Sequence, residues 1–365
     1  LARNSIDTFH VRSLEEIVAF SQTGAGNNCA VTTSTGNTPP TVTGPGNFTI
    51  PIQTPFSLTA TATDPDGDTL TYDWQQFNNG GTTGTTAVPN SDGDGVGRPI
   101  FRPYLPTTSG TRYFPSLTYI LNNANVPPST FDCGRGTPFC LTGELMSSMN
   151  RTMNFQVVVR DNRASGGGIS TATSQVNVSS LAGPFSVTSP NTAVNYTGGT
   201  SQTVTWNVAN SNLSPVNAAN VDILLSTDGG MTYSMVLAAN TPNDGSQTVT
   251  IPNVATTTAR ILVRARLNIF FDVSDTNFTI TATSFTVSGR VFGQGGRGVR
   301  NARVTLTPVT GPPIVVYSNT FGQFNAASVP GGSYTITAAG RGFNYAPQVM
   351  SIGSNLSNLD FTPIP

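Results

Sequence analysis

The sequence contains no lysine: all seventeen basic residues are arginine. That excludes a Schiff-base lysine, a Walker-type phosphate lysine and a lysine–asparagine isopeptide crosslink. Glutamate is nearly missing, with only Glu15, Glu16 and Glu144. A chain so short of lysine and glutamate is short of helix formers. His10 is the only histidine, and no G-x-S-x-G accompanies it, so Ser–His–Asp chemistry has little to build on. Charged residues make up 10% of the chain and the formal net charge is −1, which gives no electrostatic reason to expect nucleic acid or anionic lipid. No run is long and apolar enough to span a membrane. Only three cysteines occur. Cys133 and Cys140 can close a short disulfide loop, which suits an oxidising extracellular setting. Cys29 is then left free or bonded to another chain. The chain begins at Leu1 without a signal-like segment, which reads as a mature or processed piece of a longer protein.

What is present is β-structure. The hydrophobic share of 37% is spread in short alternating runs, as in folded strands and unlike disorder. From Phe56 to Trp74 the pattern is plainest. Phe56, Leu58, Ala60 and Ala62 alternate with Ser57, Thr59, Thr61 and Thr63. Asp64-Pro65-Asp66-Gly67-Asp68 then turns the chain, and Leu70, Tyr72 and Trp74 alternate on the way back. The pattern predicts a hairpin with a carboxylate-rich tip and an aromatic anchor.

Residues 1–27 read differently. Ser13-Leu14-Glu15-Glu16 is a capping box, and it predicts one short helix over about residues 13–21. A Thr/Gly/Asn/Pro linker follows. A first domain, 28–181, has expected strands at 47–52, 56–63, 69–77, 153–160 and 170–179. Its long insertion, 78–152, carries Phe101, Tyr104, Tyr113, Phe114 and Tyr119, which suggests packing over the sheet. A second sandwich is expected over 184–283, with Trp206 mid-strand, and a third over 284–365, ending in a strand at Leu359-Asp-Phe-Thr. The fold class predicted is all-β: three tandem Ig-like or transthyretin-like sandwiches with one short N-terminal helix.

Several motifs carry a family likeness. Phe9-His10, Ser13-Leu-Glu-Glu-Ile, Asp64-Pro-Asp-Gly-Asp-Thr-Leu-Thr-Tyr-Asp-Trp, Arg98-Pro-Ile-Phe-Arg and Asn154-Phe-Gln-Val-Val-Val-Arg-Asp-Asn resemble the region after the catalytic domain of secreted bacterial reprolysin-like metallopeptidases. Val216-Asn-Ala-Ala-Asn-Val-Asp-Ile-Leu-Leu-Ser-Thr-Asp-Gly-Gly looks like the next module of those proteins. The first domain is also similar to PKD-like and cadherin-like modules. Ser288-Gly-Arg-Val, Gly298-Val-Arg-Asn-Ala-Arg-Val and Val329-Pro-Gly-Gly-Ser-Tyr resemble the carboxypeptidase regulatory-like, transthyretin-like sandwich. The zinc peptidases need His-Glu-x-x-His, which this sequence lacks, so no zinc and no catalytic domain are expected.

The PKD-like resemblance implies a calcium site at Asn37, Asp64, Asp66 and Asp161. Read from the residues alone, the tip is equally a solvated turn of the kind Asp, Pro and Gly form. It is not an EF-hand, because Gly67 stands at loop position four and Gln75 at twelve. Asp92 and Asp94 read as a flexible turn. Gly293-Gln-Gly-Gly-Arg-Gly matches the dinucleotide fingerprint but lies between expected strands, so it reads as a glycine-rich β-turn. Asn47, Asn150, Asn195, Asn212, Asn277 and Asn355 open glycosylation sequons. No catalytic or other cofactor-binding residues are expected. The predicted function is a non-catalytic, extracellular or cell-surface structural and adhesive protein, with copies of itself or other surface components as partners and head-to-tail assembly into a filament. The alternatives are an accessory region of a secreted zinc metallopeptidase, for substrate docking or secretion, and a carbohydrate-binding module.

Overall fold

The computed structural model describes residues 8–28, 31, 33–78, 97–132, 134, 140–309, 311–340 and 342–364. The alternating runs form strands throughout, and the fold is all-β apart from two short α-helices and a few helical turns. The chain divides into two units. The first comprises residues 1–192, 204–247 and 260–276, the second 193–203, 248–259 and 277–365.

The first unit begins with α1 (Val11–Gln22), followed by β1 (Thr41–Thr43), β2 (Phe48–Pro51), β3 (Phe56–Thr59), β4 (Thr61–Thr63), β5 (Thr71–Gln76) and β6 (Thr111–Phe114). Next come α2 (Leu117–Leu121), β7 (Thr130–Phe131), β8 (Cys140–Leu141), β9 (Arg151–Arg160), β10 (Ile169–Ser179) and β11 (Ser186–Ser189). One layer is the sheet β2-β10-β9-β5, with β2 parallel to β10 and the other pairs antiparallel. Facing it are the pairs β1–β4 and β3–β6. Phe56, Phe101, Phe114 and Phe155 fill the space between, with ring centroids 4.8 to 6.2 Å apart. Trp74 is buried, and its Nε1–H donates to Gly110 O at 2.9 Å. Of the insertion's aromatics, Phe101 and Phe114 pack over the sheet, while Tyr113 packs edge-on against Phe271, and Thr111–Phe114 supplies a strand that the alternation did not single out.

The expected hairpin does not form. β4 pairs with β1 and β5 with β9, so residues 64–68 carry the chain from one layer to the other. Alternation determines which face of a strand is buried, not which strand lies beside it. The 56–63 run also changes partner at Ala60, whose N–H donates to Gly110 O.

The helix starts earlier than the capping box implies. His10 is the N-cap, its Nδ1 accepting from Arg12 N–H at 3.4 Å. Val11 is fully buried, and its N–H donates to Gln75 Oε1 at 2.8 Å. That anchor sets the start two residues before Ser13, and Glu15 pairs with Arg12 on the exposed side. α2 is a second helix, one not expected from the sequence.

The rest of the first unit is the greater part of a second sandwich. Strand Asn220–Ser226 is central. It pairs on one edge with Met235–Pro242 and on the other with the 260–265 part of Thr256–Ala265, where Ile223 faces Val263. Val221 through Ser226 are all buried, so this strand is covered on both faces and reads as a continuous run. One cover is α2: Ile120 packs with Leu224, Leu262, Phe271 and Val273. Trp206 lies in the core, with Nε1–H donating to Asn243 Oδ1 at 2.8 Å.

In the second unit, strand Phe278–Thr281 lies between Asn195–Thr197 and the 256–259 part of Thr256–Ala265. The C-terminal sandwich sets the sheet of Ile314–Tyr317, Arg303–Pro308, Gly332–Ala339 and Gln348–Ile352 against the pair Ser284–Arg290 and Gln323–Pro330. Val287, Val304, Leu306, Phe324, Ile336 and Phe361 form its core. Leu359-Asp-Phe-Thr does not extend as a strand. Phe361 makes a single parallel bridge to Val291, while Asp360 Oδ1 accepts from Arg290 N–H. The dinucleotide-like glycines form a tight turn between strands, closed by Gly296 N–H donating to Gly293 O at 3.3 Å, with Gly295 and Gly296 at φ 72° and 75°. A Cβ on Gly289 would lie 1.9 Å from Leu359 O, a backbone atom that no rotamer change can move. Gly289→Ala is therefore expected to cost roughly 1–3 kcal/mol, read as a lowered urea midpoint. An unchanged midpoint would contradict this packing.

Candidate functional site

The aspartate tip and the linker meet at one edge of the first unit. Asp64 Oδ1 accepts from the N–H groups of Asp66 and Asp68, at 2.9 and 3.1 Å. Gly67 closes the turn at φ 79°, a left-handed conformation that glycine adopts without strain. The linker is tied down beside it. Thr38 N–H donates to Asp66 Oδ2 at 2.7 Å, and Asn37 Nδ2 donates to Asp161 Oδ2 at 2.7 Å and to Gly166 O. Asp161 follows β9 and is buried. Burial alone would raise its pKa. The Asn37 carboxamide, the N–H groups of Arg163 and Gly168 and the Arg163 guanidinium outweigh that, holding it below the usual carboxylate range.

The four residues implied by the PKD-like resemblance thus lie in one neighbourhood but play unequal parts. Asn37 and Asp161 touch directly, and Asp66 holds the residue next to Asn37. Carboxylate oxygens of Asp64, Asp66 and Asp68 lie within 4.8 Å of one another. Asp68, outside the implied set, completes this trio. Oδ2 of Asp64 and Oδ2 of Asp68 are buried without a hydrogen-bond partner. A cation already stands there: Arg163 Nη1 is 3.5 Å from Asp66 Oδ2 and 3.8 Å from Asp68 Oδ2, and donates to Asn37 Oδ1 at 3.4 Å. Cys29, Cys133, Asp92 and Asp94 lie outside the described residues, and of Cys140 only the backbone, in β8, is described. Four sequon asparagines brace strands. The Oδ1 atoms of Asn47, Asn150, Asn195 and Asn355 accept from Gln175, Ser180, Thr281 and Thr286.

A second feature of the first unit is a cleft of about 430 Å³ lined by Tyr113, Leu117, Leu262 and Phe271, with Arg264 and Arg266 beside them. Both arginines lean on Asp222. Arg264 Nη2 is 3.2 Å from Oδ2 and Arg266 Nη1 3.3 Å from Oδ1, yet each guanidinium side chain stays about half exposed. The Asp222 carboxyl feels burial as an upward push. The Asn240 N–H and the two arginines overcome it and hold the pKa low.

The fold therefore defines an all-β protein built of sandwiches. Its C-terminal part has a recognisable kind: the family model of the carboxypeptidase regulatory-like domain matches residues 286–362, as the Ser288 and Gly298 motifs imply. No curated protein matches the sequence. Solved structures with some likeness include SGBP-B of the Bacteroides ovatus mixed-linkage glucan utilization locus, in complex with a heptasaccharide. It is 14% identical, with 87% of this chain and 71% of that one covered and a TM-score of 0.18. The Bacillus anthracis TIE protein is 10% identical over 99% of this chain and 63% of that one, with a TM-score of 0.21. The T6 backbone pilin of Streptococcus pyogenes is 13% identical over 89% and 81%, with a TM-score of 0.18. At these scores nothing of function transfers from them. Among the described residues, no helix is long and apolar enough to cross a membrane.

Proposed function

We propose that the chain is a non-catalytic, extracellular structural or adhesive protein of tandem β-sandwich modules, 28–181, 184–283 and 284–365, whose copies associate at a cell surface. The observation that carries this reading is the use made of the acidic groups at the tip. Asp66 and Asp161 hold a linker 28 and 124 residues away in sequence, so they fasten chain segments and do not line a cleft. The lone histidine is spent on capping α1.

In this reading the tip takes calcium. Two oxygens that both lie about 2.4 Å from one Ca²⁺ are at most about 4.8 Å apart, and the trio meets that spacing. Asp64, Asp66 and Asp68 would hold the ion, with Asn37 Oδ1 facing it and Arg163 displaced. Bound calcium supplies the positive charge that the converging carboxylates require. Thermal melts with and without millimolar calcium test this. At ten times Kd the expected gain is about 1.4 kcal/mol, with the linker protected from protease, and Asp64→Asn/Asp66→Asn abolishes both. Identical melts would leave a plain turn. Light scattering at high concentration, with calcium, tests association, and a strict monomer would reject it.

The second reading, an accessory region of a secreted metallopeptidase, rests on the sequence motifs at Phe9-His10, Asp64–Trp74 and Asn154–Asn162; the match at 286–362 supports a C-terminal β-module. A His-Glu-x-x-His domain upstream in the same reading frame would establish it.

A further inference from the structure

The association just proposed leaves open which surfaces meet, and the inference here rests on that reading. α1 has twelve residues and buries only Val11 on its own unit. A helix of that length is marginal by itself, and its attachment is local: Val11 N–H on Gln75 Oε1, with Gln75 Nε2 in turn donating to Asp73 Oδ2. Its exposed side carries two large apolar residues beside its charges. Ile17 is 46% and Phe20 61% exposed, and three residues apart they share a face, which Glu16 joins at i,i+4 to Phe20. The helix carries Arg12, Glu15 and Glu16, one negative charge in excess.

The cleft offers the complement. Its lining is apolar and aromatic around Tyr113, Leu117, Leu262 and Phe271, and among the described residues its charged lining is Arg264, Arg266 and Asp222, one positive charge in excess. No cleft-lining residue also lines the groove beside α1, where Leu14 and Val18 face Gln156 and Ile169. A helix and a cleft on separate surfaces make a heterologous contact, which repeats head to tail without closing unless its rotation happens to form a ring.

We propose that the Glu16–Ile17–Phe20 face of α1 docks in the Arg264/Arg266 cleft of a second copy of this chain. The apolar side chains enter the cleft beside Tyr113 and Leu117, where Tyr113 stands edge-on against Phe271, and Glu16 meets the guanidinium pair. The test is sedimentation velocity of the whole chain over a concentration series at low and high salt. The wild type should associate, less so at high salt. Ile17→Ser/Phe20→Ser, at exposed positions where folding is safe, should weaken association roughly tenfold or more. Arg266→Glu should do the same, and Glu16→Arg combined with Arg266→Glu should restore it. If Arg266→Glu unfolds, the Ile17/Phe20 double variant decides. Wild-type association by that double variant would overturn the docking while leaving self-assembly standing. A monomer at every concentration would overturn both.

Discussion

Replacing Arg112 with leucine is expected to destabilise the first unit by roughly 3–5 kcal/mol, the range for breaking a buried ion pair from one side. Arg112 stands where three segments meet. Its guanidinium lies 4.6 Å from the ring centres of both Tyr104 and Phe114. Nη1 donates to Trp74 O and Nη2 to Arg102 O. Nη2 is also 3.6 Å from Oε1 of Glu144, which is wholly buried. Removing the guanidinium strands two carbonyls and a carboxylate in a dry site. Burial already raises the Glu144 pKa, against the opposing pull of Tyr104 and Arg112, so in the variant Glu144 takes up a proton more readily. The sign follows: a carboxyl with a raised folded pKa loses stability as pH rises, so the Arg112→Leu penalty shrinks as pH falls. Adding Glu144→Gln should recover about 2 kcal/mol, because the new carboxamide oxygen still accepts from Ser116 N–H, now held at 2.6 Å. Urea unfolding of the four proteins gives the cycle. Additive losses, or a single-variant loss below about 1 kcal/mol, would mean that the pair is not coupled.

Much of the fold was legible because alternation reports burial. Phe56, Leu58 and Ala60 are buried as the pattern requires, and both tryptophans anchor cores. What stayed hidden was pairing. The runs on either side of Asp64–Gly67–Asp68 look like a hairpin, yet they belong to opposite layers, because the competing partners β1 and β9 are remote in sequence. α2 escaped notice for a related reason. Leu117-Thr-Tyr-Ile-Leu is too short for a helical period, and it exists because the doubly covered strand Asn220–Ser226 needs a lid. The capping box misled because Val11, anchored by Gln75, decides the helix start.

At the tip, the sequence resemblance named residues that do gather, but it left out Asp68 and Arg163. Arg163 follows Asp161 by two, and a basic residue at that offset is the one signal that points to an internal cation. Nothing in Phe270-Phe271-Asp272-Val273 marks a functional carboxylate except its oddity: one aspartate inside an apolar run.

That aspartate carries the largest expected pH effect. Asp272 is 1% exposed. Oδ2 accepts from Val187 N–H and Oδ1 from Asn125 Nδ2, both at 2.6 Å. Burial pushes its pKa up to about 7, against those hydrogen bonds and with help from the nearby Asp275 charge. The nearby Arg260 guanidinium donates to Ser274 O and Leu121 O. Between about pH 4 and pH 7 the folded chain keeps a proton that the unfolded chain has released. Stability therefore falls as pH rises through that window, at up to about 1.4 kcal/mol per unit and about 4 kcal/mol in all, then levels off. Asp161 and Asp222, with lowered pKa values, act in the opposite direction at lower pH, so the wild-type curve mixes both. Asp272→Asn isolates the term. The amide oxygen keeps the Val187 bond, and after rotation of the Asn125 carboxamide its Nδ2 finds Asn125 Oδ1, now buried without a partner. The two proteins should be nearly equal in stability at pH 4, and the variant more stable by several kcal/mol at pH 8. Parallel stability–pH curves for the two would show that Asp272 stays ionised when buried, held by Val187 and Asn125 alone. The predicted divergence would instead make it the proton-dependent fastener between the α2 segment and the second sandwich, loosening as the medium becomes alkaline.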